Sequence, residues 1–180
     1  MITTDANGDE RVTVRLRRQE DVVTLRQRVR EHAVGLRFSL LDQTKIVTAA
    51  SELGRNAVTY GGGGDAIIEL SRDGARVGLM LTVIDHGPGI ANIDDAMRAG
   101  FSTGSGLGLG LSGTRRLVDE FELRSQVGEG TTVRIVRWRE PSSRVGSTCE
   151  SALTRGRSIA RQPLRLRGRA STRRRWAGWR

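Results

Sequence analysis

The sequence predicts an α+β fold in two layers, a mixed, largely antiparallel sheet with its helices on one face. Three observations predict it. An apolar stripe of helical period runs through residues 40–60. Two β-rich runs at 66–71 and 76–84 are separated by Asp73-Gly74, and two more at 123–126 and 131–138 close on Gly128-Glu129-Gly130. Recurrence at three and four residues marks a helix, alternation at two marks a strand, and Asp-Gly between strand-like runs is hairpin chemistry.

The elements follow in order. Residues 1–10 are polar and acidic, unlike a signal peptide, and predict a flexible N-terminus. Residues 11–18 alternate as a half-buried strand. Asp21 precedes a helical pattern of Val22, Leu25, Val29 and Ala33. Ser39 is a suitable N-cap for the helix at 40–60, whose stripe is Ile46, Ala50, Leu53, Ala57 and Tyr60. Four glycines, 61–64, end it, because glycine holds helix poorly. After the strand at 76–84, Asp85-His86-Gly87-Pro88-Gly89 breaks the chain direction. A short helix at 93–99, a glycine-rich segment at 100–113 and a helix at 112–120 complete the pattern.

The length of 180 residues suits one domain, here 11–140. Residues 1–140 carry 19 basic and 19 acidic residues, whereas 141–180 carry 11 arginines and one acid, Glu150. The net charge of +10 therefore belongs to the last 40 residues, a serine-, glycine- and arginine-rich stretch that reads as a disordered basic extension. Its arginines suit phosphates and Trp176 and Trp179 suit base stacking, but no groove-reading element accompanies them, so a nucleic-acid role is not expected. The single cysteine, Cys149, excludes a disulfide framework or a cysteine-held zinc. The longest apolar run, 77–84, falls far short of the roughly 20 residues of a membrane span, and the expected location is the cytoplasm.

Three motifs carry chemistry. On the helix at 40–60, Glu52 and Asn56 lie one turn apart beside the apolar stripe, with Lys45 on the same flank. Asn56 is able to offer a carbonyl oxygen to Mg²⁺, and Glu52 to accept a proton from a hydroxyl; the plainer alternative is a solvated pair. In Asp85-x-Gly87-x-Gly89 a carboxylate ends an apolar strand and needs a donor, which an adenine amine would supply, while the glycines permit close backbone approach; the alternative is a structural turn. In the run from Gly104 to Gly110, every second residue is glycine, and free N–H groups followed by a helix N-terminus suit a triphosphate. The interleaved Leu107, Leu109 and Leu111 argue against a flexible linker. The spacing matches neither a dinucleotide-binding nor a P-loop pattern.

With Gly130-Thr131 these motifs come in one order, and over residues 11–138 that order resembles the Bergerat (GHKL) ATPases, which include gyrase, histidine kinases and the anti-sigma kinases. The segments SELGRNAVTYGGGG, DHGPGI and AMRAGFSTGSGLGLGLSGTRRLVDEFELRSQVGEGTTVRIVRW look like the RsbT-type serine/threonine kinases. The resemblance implies ATP and Mg²⁺ as cofactors, with ATP between the helix layer and a glycine lid. Glu52 would be the catalytic base and Asn56 the Mg²⁺ ligand. Asp85 would read the adenine amine, Gly87 and Gly89 would shape its pocket, and Thr131 would support it through a hydroxyl. Gly104, Gly106, Gly108 and Gly110, with Leu107 and Leu109, would form the lid. The implied substrate is a STAS-domain protein in a sigma-factor partner-switching or stress-response pathway, with a PP2C-type phosphatase or a sigma factor as a further partner. The alternative within the family is an anti-sigma factor that sequesters a sigma factor. A histidine kinase is disfavoured, since His32 lies in a short helix and His86 inside the Asp85 turn. Family members of this type end near residue 138, so the extension at 141–180 is a departure.

Overall fold

The computed structural model describes residues 2–4, 10–98 and 110–140. The chain divides into two units, Met1–Ser142 and Ser143–Arg180, and the described residues all fall in the first. Its elements run β1 (Ile2–Thr4), β2 (Glu10–Leu16), α1 (Gln19–Gly35), α2 (Leu40–Thr59), β3 (Gly64–Asp73), β4 (Arg76–Asp85), α3 (Ile93–Ala96), α4 (Gly110–Leu117), β5 (Glu120–Gln126) and β6 (Gly130–Trp138). The extension at 141–180 and the glycine run from 99 to 109 lie outside the described residues.

The six strands form one sheet in the order β1-β2-β3-β4-β6-β5. Every neighbouring pair is antiparallel, which corrects the expectation of a mixed sheet. The physical reason is the even number of helices between β2 and β3: α1 returns the chain and α2 returns it again, so β3 enters opposed to β2. Within the segment 1–10, expected to be flexible, β1 pairs with β2 and sets Ile2 opposite Val12. Its three residues, Ile2, Thr3 and Thr4, are all β-branched, the side-chain type that a pleated edge favours.

Helix starts follow local chemistry. Ser39 caps α2, its hydroxyl accepting from the Asp42 N–H at 3.1 Å and donating to the Asp42 carboxylate at 2.6 Å. Asp21 lies inside the first turn of α1 rather than before it, and accepts from the Arg17 and Arg18 N–H groups at 2.8 and 2.9 Å. Those two hydrogen bonds hold its carboxyl below the ordinary value.

The register lays the helix-facing side of the sheet out in rows. Val12, Ile68, Leu81, Ile135 and Phe121 form one apolar row, and Val14, Ala66, Val83, Val133 and Leu123 the next. Ile46, Ala49, Ala50, Leu53 and Ala57 of α2 join Leu25 and Val29 of α1 and these rows in one core. At one end lies a polar row, Leu16, Gly64, Asp85, Thr131 and Ser125. Toward the other end, Leu70, Leu79 and Arg137 share a row.

Arg137 occupies a core position in the alternation Val133, Ile135, Arg137 and is 8% exposed. It pairs with Asp42, 3% exposed, through Nε at 3.1 Å and through Nη2. Its Nη1 donates to Asp119 at 2.8 Å, and the Trp138 N–H donates to the other Asp119 oxygen at 2.7 Å. Burial pushes the Asp42 carboxyl up. The hydrogen bonds from Ser39 and Arg137 and the charges of Arg137 and Lys45 outweigh burial and hold it below its ordinary value.

Replacing Arg137 by alanine leaves a buried, uncompensated carboxylate, a change that costs about 3–5 kcal/mol; a urea unfolding midpoint reads it. The pH dependence has a fixed sign. Because the folded value of Asp42 is depressed, its stabilisation is complete above the unfolded carboxylate value of about 3.9 and is lost as pH falls through the folded value. Unfolding curves between about pH 5 and pH 2 should show this acid-limb loss in the wild type and a smaller Asp42 component in Arg137→Ala, where the Ser39 hydrogen bond and the Lys45 charge remain.

Candidate functional site

The polar row at the end of the sheet meets the C-terminal half of α2 at a cavity of about 370 Å³. Asn56 from α2, Asp85 from β4, Gly89 from the following turn, Gly110 at the start of α4 and Thr131 from β6 all line it. Five separately predicted site residues thus meet around one space. Apolar side chains, among them Leu53, Ala57, Val83, Ile90 and Val133, form much of the wall, with Tyr60 at the helix end. Tyr60 was readable only as the last member of the α2 stripe. Ile90 and Val133 gave no signal, because an isolated apolar residue after a turn or in a strand looks like core.

Asp85 is held by its neighbours. Its Oδ1 accepts from the Gly87 N–H at 3.0 Å and from the Thr131 N–H at 3.2 Å. Among the described residues nothing donates to Oδ2. A half-buried carboxylate oxygen without a donor beside an apolar cavity is a recognition point for a ligand N–H. Asn56 lines the same cavity, and its side-chain amide makes no hydrogen bond among the described residues.

Glycines around Asp85 let backbones meet. A Cβ on Gly87 would stand 2.5 Å from the Gly61 Cα, and one on Gly61 would stand 2.4 Å from the Asp85 Cβ. Gly89 adopts φ +72°, and its Cβ would stand 2.2 Å from the Gln126 carbonyl oxygen. The space beside Gly87 and Gly89 is therefore filled by protein backbone. They shape the pocket by packing the turn against the end of α2 and the β5–β6 turn.

Glu52 sits elsewhere in the geometry. It is 5% exposed, is absent from the cavity lining, and its Oε1 pairs with Arg55 Nη1 at 2.8 Å across one helical turn. Gly104, Gly106, Leu107, Gly108 and Leu109 lie outside the described residues. Among the described residues no helix is long and apolar enough to cross a membrane.

A family model for histidine kinase-, DNA gyrase B- and HSP90-like ATPases matches residues 41–142, the span that carries α2, the Asp85 turn and β6. The serine/threonine-protein kinase RsbT of Bacillus subtilis (strain 168) is 46% identical over 125 residues, 69% of this chain and 94% of that protein. The anti-sigma F factor of Anoxybacillus flavithermus (strain DSM 21510 / WK1) is 34% identical over 106 residues, 55% of this chain and 71% of that protein. The crystal structure of the RsbU and RsbW domains of Rv1364c from Mycobacterium tuberculosis matches with a TM-score of 0.52 at 24% identity, over 72% of this chain and 32% of that chain, a likeness of fold. With Asn56, Asp85, Gly89, Gly110 and Thr131 gathered on one cavity and a close relative matched along nearly its whole length, the chain belongs to the histidine kinase-, DNA gyrase B- and HSP90-like ATPase family, in the group of RsbT-type kinases and anti-sigma factors.

Proposed function

We infer that this chain is an ATP-dependent serine/threonine-protein kinase of the RsbT type. Its substrate is a STAS-domain protein of a cytoplasmic sigma-factor partner-switching pathway, and a PP2C-type phosphatase or a sigma factor is a further partner. One observation carries the reading: Asn56 and Asp85, whose Oδ2 takes no donor among the described residues, line the same cavity, one suited to a metal–phosphate group and the other to an amine. The similarity to the Bacillus subtilis kinase supports the reaction class.

The residues fit the two cofactors. Asp85 Oδ2 would accept a hydrogen bond from the adenine amine, and the apolar wall would cover the faces of the base. Asn56 Oδ1 is one hard oxygen ligand, which suits Mg²⁺, a cation that keeps waters and binds mainly through substrate phosphates. The chemistry a Mg²⁺ held there would supply is neutralisation of charge on the transferring phosphoryl group. By its resemblance to the family, the run Gly104, Gly106, Leu107, Gly108, Leu109 and Gly110 is assigned to the phosphates, and of it Gly110 is the described member that lines the cavity. Glu52, one turn before Asn56, accepts the proton of the acceptor hydroxyl at Oε2, while Arg55 holds Oε1.

A second reading has its own support. Glu52 is buried against Arg55 and does not line the cavity, as expected if it is structural and the chain acts by holding a sigma factor; the likeness to an anti-sigma F factor fits. The experiment that separates the two is transfer of γ-phosphate from ATP to purified STAS-domain proteins. Glu52→Gln should reduce transfer by about 10²–10⁴-fold, the usual worth of a general base, with ATP affinity nearly unchanged. Asn56→Ala should abolish transfer and weaken Mg²⁺-dependent ATP binding. Full transfer by Glu52→Gln would show that Glu52 is not the base. Tight ATP binding without transfer by the wild type would favour the sequestering protein.

A further inference from the structure

Ser125 stands on β5 directly opposite Thr131, at the end of the polar row. Three groups converge on its hydroxyl. The Ile90 N–H donates to Oγ at 2.8 Å, Oγ donates to the Gly130 carbonyl at 3.0 Å, and Oγ lies 2.9 Å from Thr131 Oγ1. Ile90 and Thr131 line the cavity and Ser125 does not.

A hydroxyl has one proton to give and two lone pairs to offer. The Gly130 carbonyl can only accept, so the Ser125 proton goes there. The Ile90 N–H takes one Ser125 lone pair. The contact between the two hydroxyls is then made with the Thr131 proton, which Ser125 receives on its remaining lone pair. Thr131 is left with lone pairs alone to present to the cavity. Asp85 Oδ2, whose sister oxygen is held by the Thr131 N–H, is also an acceptor. The Thr131 hydroxyl and the free Asp85 oxygen therefore both accept.

We propose that Ser125 is a specificity-determining positioning residue. By taking the Thr131 proton it leaves Thr131 Oγ1 an acceptor beside Asp85 Oδ2, so a purine that sets a donating 6-amino group there is matched and one that sets a 6-oxo group there is refused. The proposal rests on reading the cavity as a nucleotide site. It differs from that reading in assigning base selection to a residue that touches no ligand. Without the Ser125 hydroxyl, the Thr131 proton is free to turn into the cavity and meet a 6-oxo group.

The test is equilibrium binding of ATP and of GTP, each with Mg²⁺, to the full chain. The wild type should favour ATP. Ser125→Ala should lower the ATP-to-GTP affinity ratio by up to about tenfold, the worth of one neutral hydrogen bond, and Ser125→Thr, which keeps the hydroxyl, should restore it. Thr131→Val removes the acceptor within a β-branched shape and should lower the ratio similarly, and Ser125→Ala added to it should then change nothing more. An unchanged ratio in Ser125→Ala, or equal losses for both nucleotides that Ser125→Thr does not repair, overturns the proposal and leaves Ser125 a structural residue. If Ser125→Ala does not fold, an unchanged ratio in Thr131→Val overturns it just as well. A wild type that binds neither nucleotide overturns the nucleotide-site reading together with this proposal, and so is distinct from failure of the Ser125 assignment alone.

Discussion

The buried pair between Arg137 and Asp42 determines where α2 lies along the sheet, and the site depends on that position. From Asp42 to Asn56 is fourteen residues, about 21 Å of helix at 1.5 Å per residue. From Arg137 to Thr131 is six residues, about 20 Å of antiparallel strand at roughly 3.4 Å per residue. The two lengths match. Tying Asp42 to Arg137 at one end therefore delivers Asn56 to the row of Asp85 and Thr131 at the other. A slip of α2 by one turn, about 5.4 Å, would carry Asn56 off that row.

A buried ion pair is a weak source of net stability, since desolvation offsets much of its attraction, and well-packed apolar residues often do as well. Its value here is positional. The apolar rows between α2 and the sheet are built from Ile46, Ala50, Leu53 and Ala57 against Leu81, Val83, Val133 and Ile135, contacts that tolerate sliding because they are non-directional. The fork of Arg137 admits one arrangement, with Asp42 on two nitrogens and Asp119 on the third. Asp119 also takes the Trp138 N–H, so the same network fixes the junction from which β5, and with it Ser125, begins.

Much of this was legible in local pattern. The stripe of α2, its Ser39 cap, the Asp73-Gly74 hairpin and the apolar alternation of β4 and β6 are short-range signals, and the elements sit where those signals predict. Asn56, Asp85, Gly89, Gly110 and Thr131 were readable because their motifs come in a set order. What escaped depends on pairing across long separations. Arg137 and Asp42 are 95 residues apart, and an arginine in a strand ordinarily reads as solvent-facing. The one available signal was its phase, since Val133 and Ile135 place residue 137 on the buried face. β5 begins at Glu120 rather than at 123, because the charged alternation of Glu120, Glu122 and Arg124 looks like loop until β6 is set beside it. Glu52 reads as a cavity-edge residue from its helical angle alone, and the angle does not reveal that Arg55 claims one of its oxygens.

The two ends of the cavity are built on different physical principles. At the Asp85 end, glycines 61, 87 and 89 bring the C-terminus of α2, the turn after β4 and the β5–β6 turn to distances that no Cβ would allow. Hydrogen bonds from Gly87, Thr131 and Ile90 then leave the groups there little freedom. Preorganised polar atoms of this kind cost little reorganisation when a ligand arrives, and they discriminate because a mismatched partner leaves a desolvated group unpaired. At the α2 end, the Asn56 amide has no partner among the described residues, and one turn before it, outside the cavity lining, the Glu52 carboxylate shares one oxygen with a partly exposed arginine. These side chains retain the capacity to take new partners. On the proposed reading, the rigid end would choose the base and the less committed end would meet phosphates and a protein acceptor, the division of labour expected where one nucleotide must serve many encounters with a macromolecular partner.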